Sequence, residues 1–474
     1  MAAPDLSRER EDIQGIVASG YGHLPHAAYL LFGIDEPPAA GAWLASVAAE
    51  VTTAVRRVEG RALAVALTAT GLAALGLPER VRDWFPLEFT TGMTDDAHRR
   101  RILGDIGPSA PEEWRWGGPD TKTIDVLLLL FSESEADLAA LSEQQQANVR
   151  GATLVQELRA SSQTFDHFGF RDGISQPFIA GLRNGPPAQT IATGEFLLGY
   201  PNEYGQYTQR PLIEPREDPA GLLALDGAGS GAHDLGRNGT YLVFRQLSQD
   251  VPAFWQWVDE NAGTIANRNG KAAGQARIAL ASKLVGRWPG GAPLTLSPHH
   301  DDPDLATAAD FGYYHRDRDG LLCPIGAHVR RAHPRDSLDP NPGTSDSIGI
   351  DKHHRLLRRG REYGERMTTR EALGAEPGGE DVRGLHFICL CASLERQFEF
   401  VQQTWVNSTK FDGLYQDPDP LVAGGSRAFT AQALPVRKRY LDLPPFVQTR
   451  GGGYFFLPGL RALRYVASLP GGES

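Results

Sequence analysis

The sequence repeats four times a short apolar run that is followed by a helix-like segment. Each apolar run has the length of a buried strand. The runs occupy residues 29–34 (YLLFGI), 126–131 (VLLLLF), 241–247 (YLVFRQL) and 386–393 (HFICLCAS). After the first run, Trp43, Val47, Val51 and Val55 recur at every fourth position, which predicts one face of a helix. The pattern therefore predicts two strand-then-helix pairs in each half of the chain.

Two strand–helix pairs are the skeleton of a β-α-β-β-α-β unit, the ferredoxin-like arrangement. Two such units predict a duplicated α+β protein with mainly antiparallel sheets and helices on the outside. We place the N-terminal module at 1–200, a Gly/Pro-rich connection at 201–238 and the C-terminal module at 239–474. Further loop-rich stretches run over 289–326 and 334–352, and loops of this length often carry function.

Charge and composition exclude several classes of protein. The net charge of -11 argues against a nucleic-acid partner held through phosphate contacts. No stretch reaches the roughly 18 apolar residues of a membrane span, and the N-terminal residues MAAPDLSRERED lack the pattern of a signal peptide. We therefore expect a cytoplasmic protein without a membrane partner, with secretion left open if a leader has been removed. The cysteines are expected to be reduced core thiols: Cys323, Cys389 and Cys391.

The segment 168–178, FGFRDGISQPF, places Asp172 between Gly169 and Gly173. Glycine adopts backbone angles that are closed to other residues and lets the chain approach a flat ligand closely. The surrounding phenylalanine and isoleucine side chains predict an apolar setting for the carboxylate. Taken alone, the segment also fits a tight turn with a solvated aspartate.

The segment 323–335, CPIGAHVRRAHPR, sets His328 in an apolar stretch with three arginines behind it. Histidine is a standard axial ligand of haem iron, and arginines can pair with the haem propionates. His333 precedes a proline and is expected in a turn. Taken alone, His328 also fits an ordinary core or surface histidine.

A third segment, 353–364 (HHRLLRRGREYG), leads from two leucines into Arg358. A guanidinium group in a cavity can stabilise an oxygen atom that is becoming anionic. A solvated basic turn is the alternative for this segment.

Together, these segments resemble the dye-decolorizing peroxidases, a family of haem peroxidases. The GFRDG run at 169–173 is similar to the family's GxxDG motif. The other two segments resemble its proximal-histidine and distal-arginine segments. Further similar stretches are DIQGIV (12–17), GEFLLGYPNEYG (194–205) and ERQFEFVQQTW (395–405). The resemblance runs over nearly the whole chain, in the family's order, and the length matches the larger members.

The resemblance implies two ferredoxin-like modules of the dimeric α+β barrel type, with haem b in the C-terminal one. It also implies that His328 is the axial iron ligand, Asp172 the acid–base residue and Arg358 the distal arginine. The other haem-contact candidates are Arg330, Gly173, Ile174 and Ser175.

The implied activity is the reduction of hydrogen peroxide with electrons from bulky organic compounds such as dyes and phenolics. Asp172 would move a proton between the two peroxide oxygens, and Arg358 would stabilise the departing oxygen. Chemistry by a carboxylate predicts useful turnover at acidic pH. A homo-oligomer stays open.

Two further residues are candidates for supporting roles. Bulky compounds cannot reach a buried haem, so electrons would arrive through surface aromatics, and Trp405 matches a candidate relay position of the family. However, Trp405 also shares a helical stripe with other apolar residues, which favours a core role. A metal-bound histidine usually has an acidic partner; Asp336 is near His328 in sequence, but this nearness does not identify it as the partner.

Two other functions remain open from the sequence. A haem-binding or haem-handling protein with little turnover would need His328 in the same way. A non-haem metal protein could use oxygen and nitrogen ligands from the run SPHHDDPD at 297–304, although that run also fits a solvated loop. The candidate ligands in it are His299, His300, Asp301, Asp302 and Asp304.

Overall fold

A computed structural model describes residues 5–55, 58–269, 273–377, 382–425 and 427–471. The strands are β1 (His26–Ile34), β2 (Arg61–Leu67), β3 (Val126–Ser132), β4 (Ala152–Ser161), β5 (Phe178–Ile179), β6 (Thr190–Ile191), β7 (Leu212–Ile213), β8 (Ala224–Leu225), β9 (His233–Asp234), β10 (Thr240–Gln249), β11 (Leu357–Arg358), β12 (Arg361–Tyr363), β13 (Gly384–Cys391), β14 (Phe429–Ala431), β15 (Lys438–Tyr440) and β16 (Val447–Leu457).

The α-helices are α1 (Gly15–Ala18), α2 (Pro37–Glu50), α3 (Ala69–Ala74), α4 (Glu79–Arg82), α5 (Leu87–Thr91), α6 (Ala97–Leu103), α7 (Glu135–Asn148), α8 (Val251–Asn269), α9 (Ala273–Val285), α10 (Tyr314–Asp317), α11 (His328–Ala332), α12 (Ser345–Lys352), α13 (Thr369–Gly374) and α14 (Leu460–Ala467). Two consecutive π-helical segments, Leu394–Glu399 and Val401–Val406, follow β13. Within the described residues, no helix combines the length and apolarity needed to cross a bilayer.

The first four strands form an antiparallel sheet in the order β2-β3-β1-β4. Their side chains alternate between two faces, and each face enters a different apolar cluster. The outer face packs against helices α2 and α7, through residues such as Trp43, Leu44 and Leu138. Burial on both faces explains why β1, β2 and β3 are apolar without alternation.

A second antiparallel sheet repeats this order in the C-terminal half. Strand β10 lies between β16 and β13, and β13 pairs on its other edge with β11 and β12. Single residue pairs join the two sheets at Phe456–Leu67 and at Glu362–Ser161, so the strands close into a ring. Its interior is filled by apolar side chains of both halves, and the helices lie outside. The fold is therefore α+β.

Some boundaries differ from the sequence prediction. The predicted helix face reaches Val55, but α2 ends at Glu50 and Val55 is exposed. The chain turns there because Thr52 exchanges backbone hydrogen bonds with Leu63 and Gly15. The predicted loop at 334–352 contains helix α12, and the connection at 201–238 contains the small sheet β7-β9-β8.

Candidate active site

A cavity of about 310 Å³ lies on the outer face of the C-terminal sheet. Its volume falls within the range of about 300 to 1,000 Å³ that is typical of ligand pockets. The sheet contributes Arg245, Leu247, Gln249, Arg358, Leu385, Phe387, Val447 and Thr449. The apolar remainder of the wall includes Phe168, Phe170, Val285, Val329, Phe398, Val401, Val406, Leu421 and Val422. The cavity therefore offers mostly apolar surface with a few polar groups.

His328 begins helix α11 and lines this cavity. Its Nδ1 lies 2.8 Å from Oδ2 of Asp419, a carboxylate with no solvent exposure. The other oxygen of Asp419 accepts the backbone N–H groups of Leu421 and Val422 at 2.9 and 3.0 Å. The carboxylate is thus fixed from two sides. Because Nδ1 is occupied, Nε2 is the nitrogen of His328 that is available to a ligand in the cavity.

The two partners of this pair shift each other's pKa. Burial alone lowers the pKa of His328, but the charge and hydrogen bond of Asp419 outweigh it, and the net pKa is raised. For Asp419, burial acts upward, and His328 and Arg331 together hold the pKa of the carboxyl below its usual range. The pair therefore favours an electron-rich imidazole, as metal-bound histidines with carboxylate partners have.

Sequence reasoning missed Asp419 because it lies 91 residues from His328. The nearby candidate, Asp336, instead accepts the backbone N–H groups of Tyr313 and Tyr314. The one local signal is the run DPDP at 417–420, where prolines on both sides restrict the backbone that carries the carboxylate.

Asp172 lies in a hairpin that reaches the cavity. Phe165 bridges Arg171 in antiparallel fashion, and the backbone N–H of Asp172 donates to the carbonyl of Thr164 at 3.2 Å. Gly173 follows with a φ of 75°, a left-handed conformation that favours glycine. The hairpin and this turn set the direction in which Asp172 enters the cavity wall.

Arg358 ties the Asp172 loop to strand β11. Its backbone N–H donates to Oε1 of Gln176 at 3.1 Å, and its Nη2 donates to the carbonyl of Ile174 at 2.8 Å. The structure thus gathers around one cavity five of the residues that the sequence predicts. They are Asp172, Ile174, Ser175, His328 and Arg358.

Three more arginines converge on Ser175, next to Arg358. The Nη2 atoms of Arg287 and Arg335 lie 3.4 and 3.3 Å from the Ser175 hydroxyl, and Nη2 of Arg355 donates to its carbonyl at 3.2 Å. One carboxylate, Asp351, lies 3.7 Å from Arg355. This part of the site is strongly cationic and fits an anionic group such as a haem propionate.

Arg330 lies elsewhere. It is fully buried, and it is absent from the cavity wall. Its Nη1 donates to the Asp317 carboxylate at 3.2 Å and to the Cys323 carbonyl at 3.0 Å. These contacts give Arg330 a structural role and argue against the predicted pairing with a haem propionate. Arg287 and Arg355, which line the cavity beside Ser175, replace it as candidates.

Trp405 is a core residue, as its helical stripe predicts. It is 4% exposed and packs against the rings of His354 and Phe400. The stripe itself is buried, with Leu394, Phe398 and Val401. A relay through Trp405 stays a prediction.

The run at 297–304 is a surface loop. His299 and His300 are exposed, and Asp301 accepts the backbone N–H of Gly290. In the part of the chain that the structure describes, no group of three or more His, Cys, Asp or Glu residues could hold a metal ion. The three cysteines are buried and free.

The residues of the cavity fit haem. A fixed histidine with a carboxylate partner, an apolar wall and a cationic edge are the features that a flat, amphipathic iron porphyrin needs. All of these groups belong to the chain itself.

Known proteins are similar to this chain in both sequence and fold. No family model matches the chain. A dye-decolorizing peroxidase of Mycena epipterygia is 30% identical over 446 residues, covering 86% of this chain and 76% of that protein. A multifunctional dye peroxidase of an Amycolatopsis species is 30% identical over 424 residues, covering 85% of this chain and 81% of the relative.

A solved structure of a fungal peroxidase of the same type, from Auricularia auricula-judae, superposes with a TM-score of 0.78 at 25% identity. It covers 97% of this chain, and this chain covers 99% of it. Sequence and fold therefore agree over both halves and over the cavity between sheet and helices. The chain belongs to the dye-decolorizing peroxidase family and is a haem-binding peroxidase.

Proposed function

We propose that this cavity would hold haem b and that Nε2 of His328 would bind its iron. The observation that carries this proposal is the His328–Asp419 pair, which leaves one ring nitrogen available at the wall of an apolar cavity. Arg287 and Arg355 would pair with the propionates, and Gly173 would let the loop approach the porphyrin face. When bound, haem supplies the iron that takes up peroxide and the redox chemistry of turnover.

Asp172 and Arg358 carry the proton and charge chemistry of the proposal. Asp172 accepts the proton of the inner peroxide oxygen and returns it to the outer oxygen, directly or through one water. Arg358 stabilises the negative charge that develops on the departing oxygen. Arg358 donates a hydrogen bond to the carbonyl of Ile174, two residues after Asp172. This bond fixes the position of Arg358 relative to Asp172. The electron donors are bulky organic compounds, with dyes and phenolics as the class to test.

The finer architecture is part of the same proposal. The two sheets share one strand order, with the first strand of each half in a central position. This order supports two ferredoxin-like modules at 1–200 and 239–474, joined by the connection at 201–238.

An ultraviolet–visible spectrum of the purified protein, before and after peroxide, tests the proposal. A Soret band that responds to peroxide, together with peroxide-driven oxidation of an anthraquinone dye, is the expected result. A protein without a Soret band after reconstitution with haem b would overturn it.

A haem-handling protein with little turnover is the second candidate. A deferrochelatase of Yersinia pestis is 30% identical to the chain over 179 residues, which is 37% of this chain. A Soret band without peroxide-driven dye oxidation would favour this candidate. The longer match to peroxidases, over 86% of the chain, supports turnover instead.

A further inference from the structure

The hairpin that carries Asp172 places a second carboxylate on the same face. The bridge between Phe165 and Arg171 puts these two side chains on one side, where the guanidinium of Arg171 lies 5.7 Å from the Phe165 ring. Side chains alternate along each strand of a hairpin, so Asp166 and Asp172 share the opposite side. They are diagonal neighbours, at about 7 to 8 Å between Cα atoms. Both residues line the cavity.

Asp166 is fixed in this position. Its Oδ1 accepts the backbone N–H of Phe170 at 2.8 Å, and its backbone pairs with that of the same residue. The charged groups that face it are Asp172 on its own hairpin, Arg366, Glu362 on β12 and His328 at the cavity wall. Glu362 is buried and accepts the backbone N–H of Gln163, at the base of the hairpin. Three carboxyl groups, those of Asp172, Asp166 and Glu362, thus lie close enough to influence one another.

The stoichiometry of peroxide reduction requires protons inside the cavity. One hydrogen peroxide takes up two electrons and two protons to give two waters. An organic donor too large for a cavity of about 310 Å³ gives up its electrons outside, and its protons are released there. The two protons must therefore reach the cavity through the chain or through water. Asp172 can hold one proton, and it must be protonated again in each cycle.

We infer that Asp166 is a second proton-holding residue of the cavity, which returns a proton to Asp172 during turnover. The inference rests on the proposed peroxidase function. The step moves one proton from the Asp166 carboxyl to the Asp172 carboxylate, directly or through one water, and no electron moves with it. Asp166 is protonated again from water.

The charges around Asp166 support this role. Burial raises the pKa of Asp166 to about 7, against the hydrogen bond from Phe170, and the neighbouring Asp172 adds to the rise. Burial also raises the pKa of Glu362 to about 7, with contributions from Asp172 and Asp166. Neighbouring carboxyl groups of this kind titrate as a coupled set. At acidic pH, Asp166 therefore holds the proton that the step requires.

The test compares Asp166→Asn with Glu362→Gln and with the surface control Asp95→Asn. Asparagine keeps an oxygen that accepts the N–H of Phe170, so the hairpin is retained. The first readout needs no peroxide: infrared absorption of the resting protein in the region of protonated carboxyl C=O groups, followed through neutral pH. The second readout is the pH profile of turnover with a bulky dye, beside the rate of the initial reaction with peroxide.

We expect carboxyl absorption of the wild type that disappears as the pH rises through about 7, with one part absent from Asp166→Asn and another part absent from Glu362→Gln. Dye turnover by Asp166→Asn should fall about tenfold at acidic pH, while the initial peroxide reaction changes less than about twofold. Wild type and variant should converge above pH 7, where Asp166 is already ionised. Asp95→Asn should match the wild type.

Other outcomes would overturn the inference. It fails if Asp166→Asn keeps the full neutral-pH carboxyl absorption of the wild type, or if dye turnover at acidic pH is lost in Glu362→Gln and not in Asp166→Asn. It also fails if Asp166→Asn slows both rates equally. A wild type with the band but without any peroxide reaction would instead contradict the proposed function.

Discussion

The two sheets of the barrel share one strand order but differ in what covers their outer faces. In the N-terminal sheet, Leu128 of β3 is completely buried beneath helices α2 and α7. In the C-terminal sheet, the corresponding strand is β13, and its Leu385 and Phe387 face the cavity. With the same strand order, the layer outside the N-terminal sheet is filled by side chains, whereas the layer outside the C-terminal sheet contains the cavity.

The difference arises from the segments between the strands. In the N-terminal half, α7 follows β3 directly and packs on the sheet through Leu138 and Leu141. In the C-terminal half, the segment between β10 and β13 contains helices α8 to α13. This segment supplies His328 and arginines of the cavity wall, and it contacts the Asp172 hairpin. The cover of this sheet therefore comes from a much longer segment than in the N-terminal half. One sheet therefore contributes a filled apolar layer, and the other lines the site.

Among the substitutions, the largest effect should come from replacing His328 at the wall of the cavity. His328→Ala removes the proposed axial nitrogen, so we expect the Soret band to shift and weaken and dye oxidation to fall to background. His299→Ala, in the exposed loop at 297–304, is the matched control and should behave as the wild type. An unchanged spectrum in His328→Ala would exclude it as the ligand.

Asp172→Asn should leave haem binding intact and slow the reaction with peroxide by about 10² to 10⁴-fold, the usual range for losing a general acid–base residue. Stopped-flow absorbance at the Soret band measures this rate. A fully active Asp172→Asn would contradict the proposed role.

The strand–helix pattern sufficed to predict most of the framework. Strands β1, β3, β10 and β13 and the helical segments after them lie where the sequence pattern places them, because continuous burial leaves a plain apolar signal. The end of α2 was not predictable, since Thr52 is held by partners in other parts of the chain. Backbone hydrogen bonds between distant segments leave no local pattern.

Some of the residues that the sequence predicts for the site line the cavity and others do not, for a similar reason. Asp172, His328 and Arg358 each lie in a distinctive local segment, and the structure brings them to one cavity. Arg330 also lies in such a segment, but its side chain turns toward Asp317. The choice between Arg330 and Arg355 depends on side-chain direction, which sequence spacing alone does not fix.

A matched pair of truncations tests the contrast between the sheets directly. Leu128→Ala opens a new hole in a filled layer and should destabilise the protein by about 2 to 5 kcal/mol. Leu385→Ala removes a side chain that already faces open space, and should cost less than about 1 kcal/mol in the haem-free protein. Urea unfolding of the haem-free variants gives both values, and equal losses would show that the two layers do not differ in packing.

Asp419→Asn should have a smaller effect, because it leaves the histidine in place and changes only its partner. We expect haem affinity or peroxidase activity to fall by about 10 to 100-fold, as for other substitutions behind a metal ligand. Haem transfer to apomyoglobin measures the affinity. Asp336→Asn is the control, since its amide oxygen can still accept the N–H groups of Tyr313 and Tyr314. If both variants lose haem equally, the assignment of Asp419 is wrong.

The smallest effect concerns the contact between the two sheets, where Glu362 of β12 pairs with Ser161 of β4. Burial raises the pKa of Glu362 from 4.5 to about 7, so the folded state binds this proton more tightly than the unfolded chain does. Its contribution to stability is complete below the ordinary pKa and is lost as the pH rises through 7. Glu362→Gln should therefore be more stable than the wild type near pH 8, by roughly 1 to 3 kcal/mol, and the two should converge near pH 4. Urea unfolding at both pH values measures this, with the exposed Glu365→Gln as control; a difference that is independent of pH would show that Glu362 is ionised in the fold throughout.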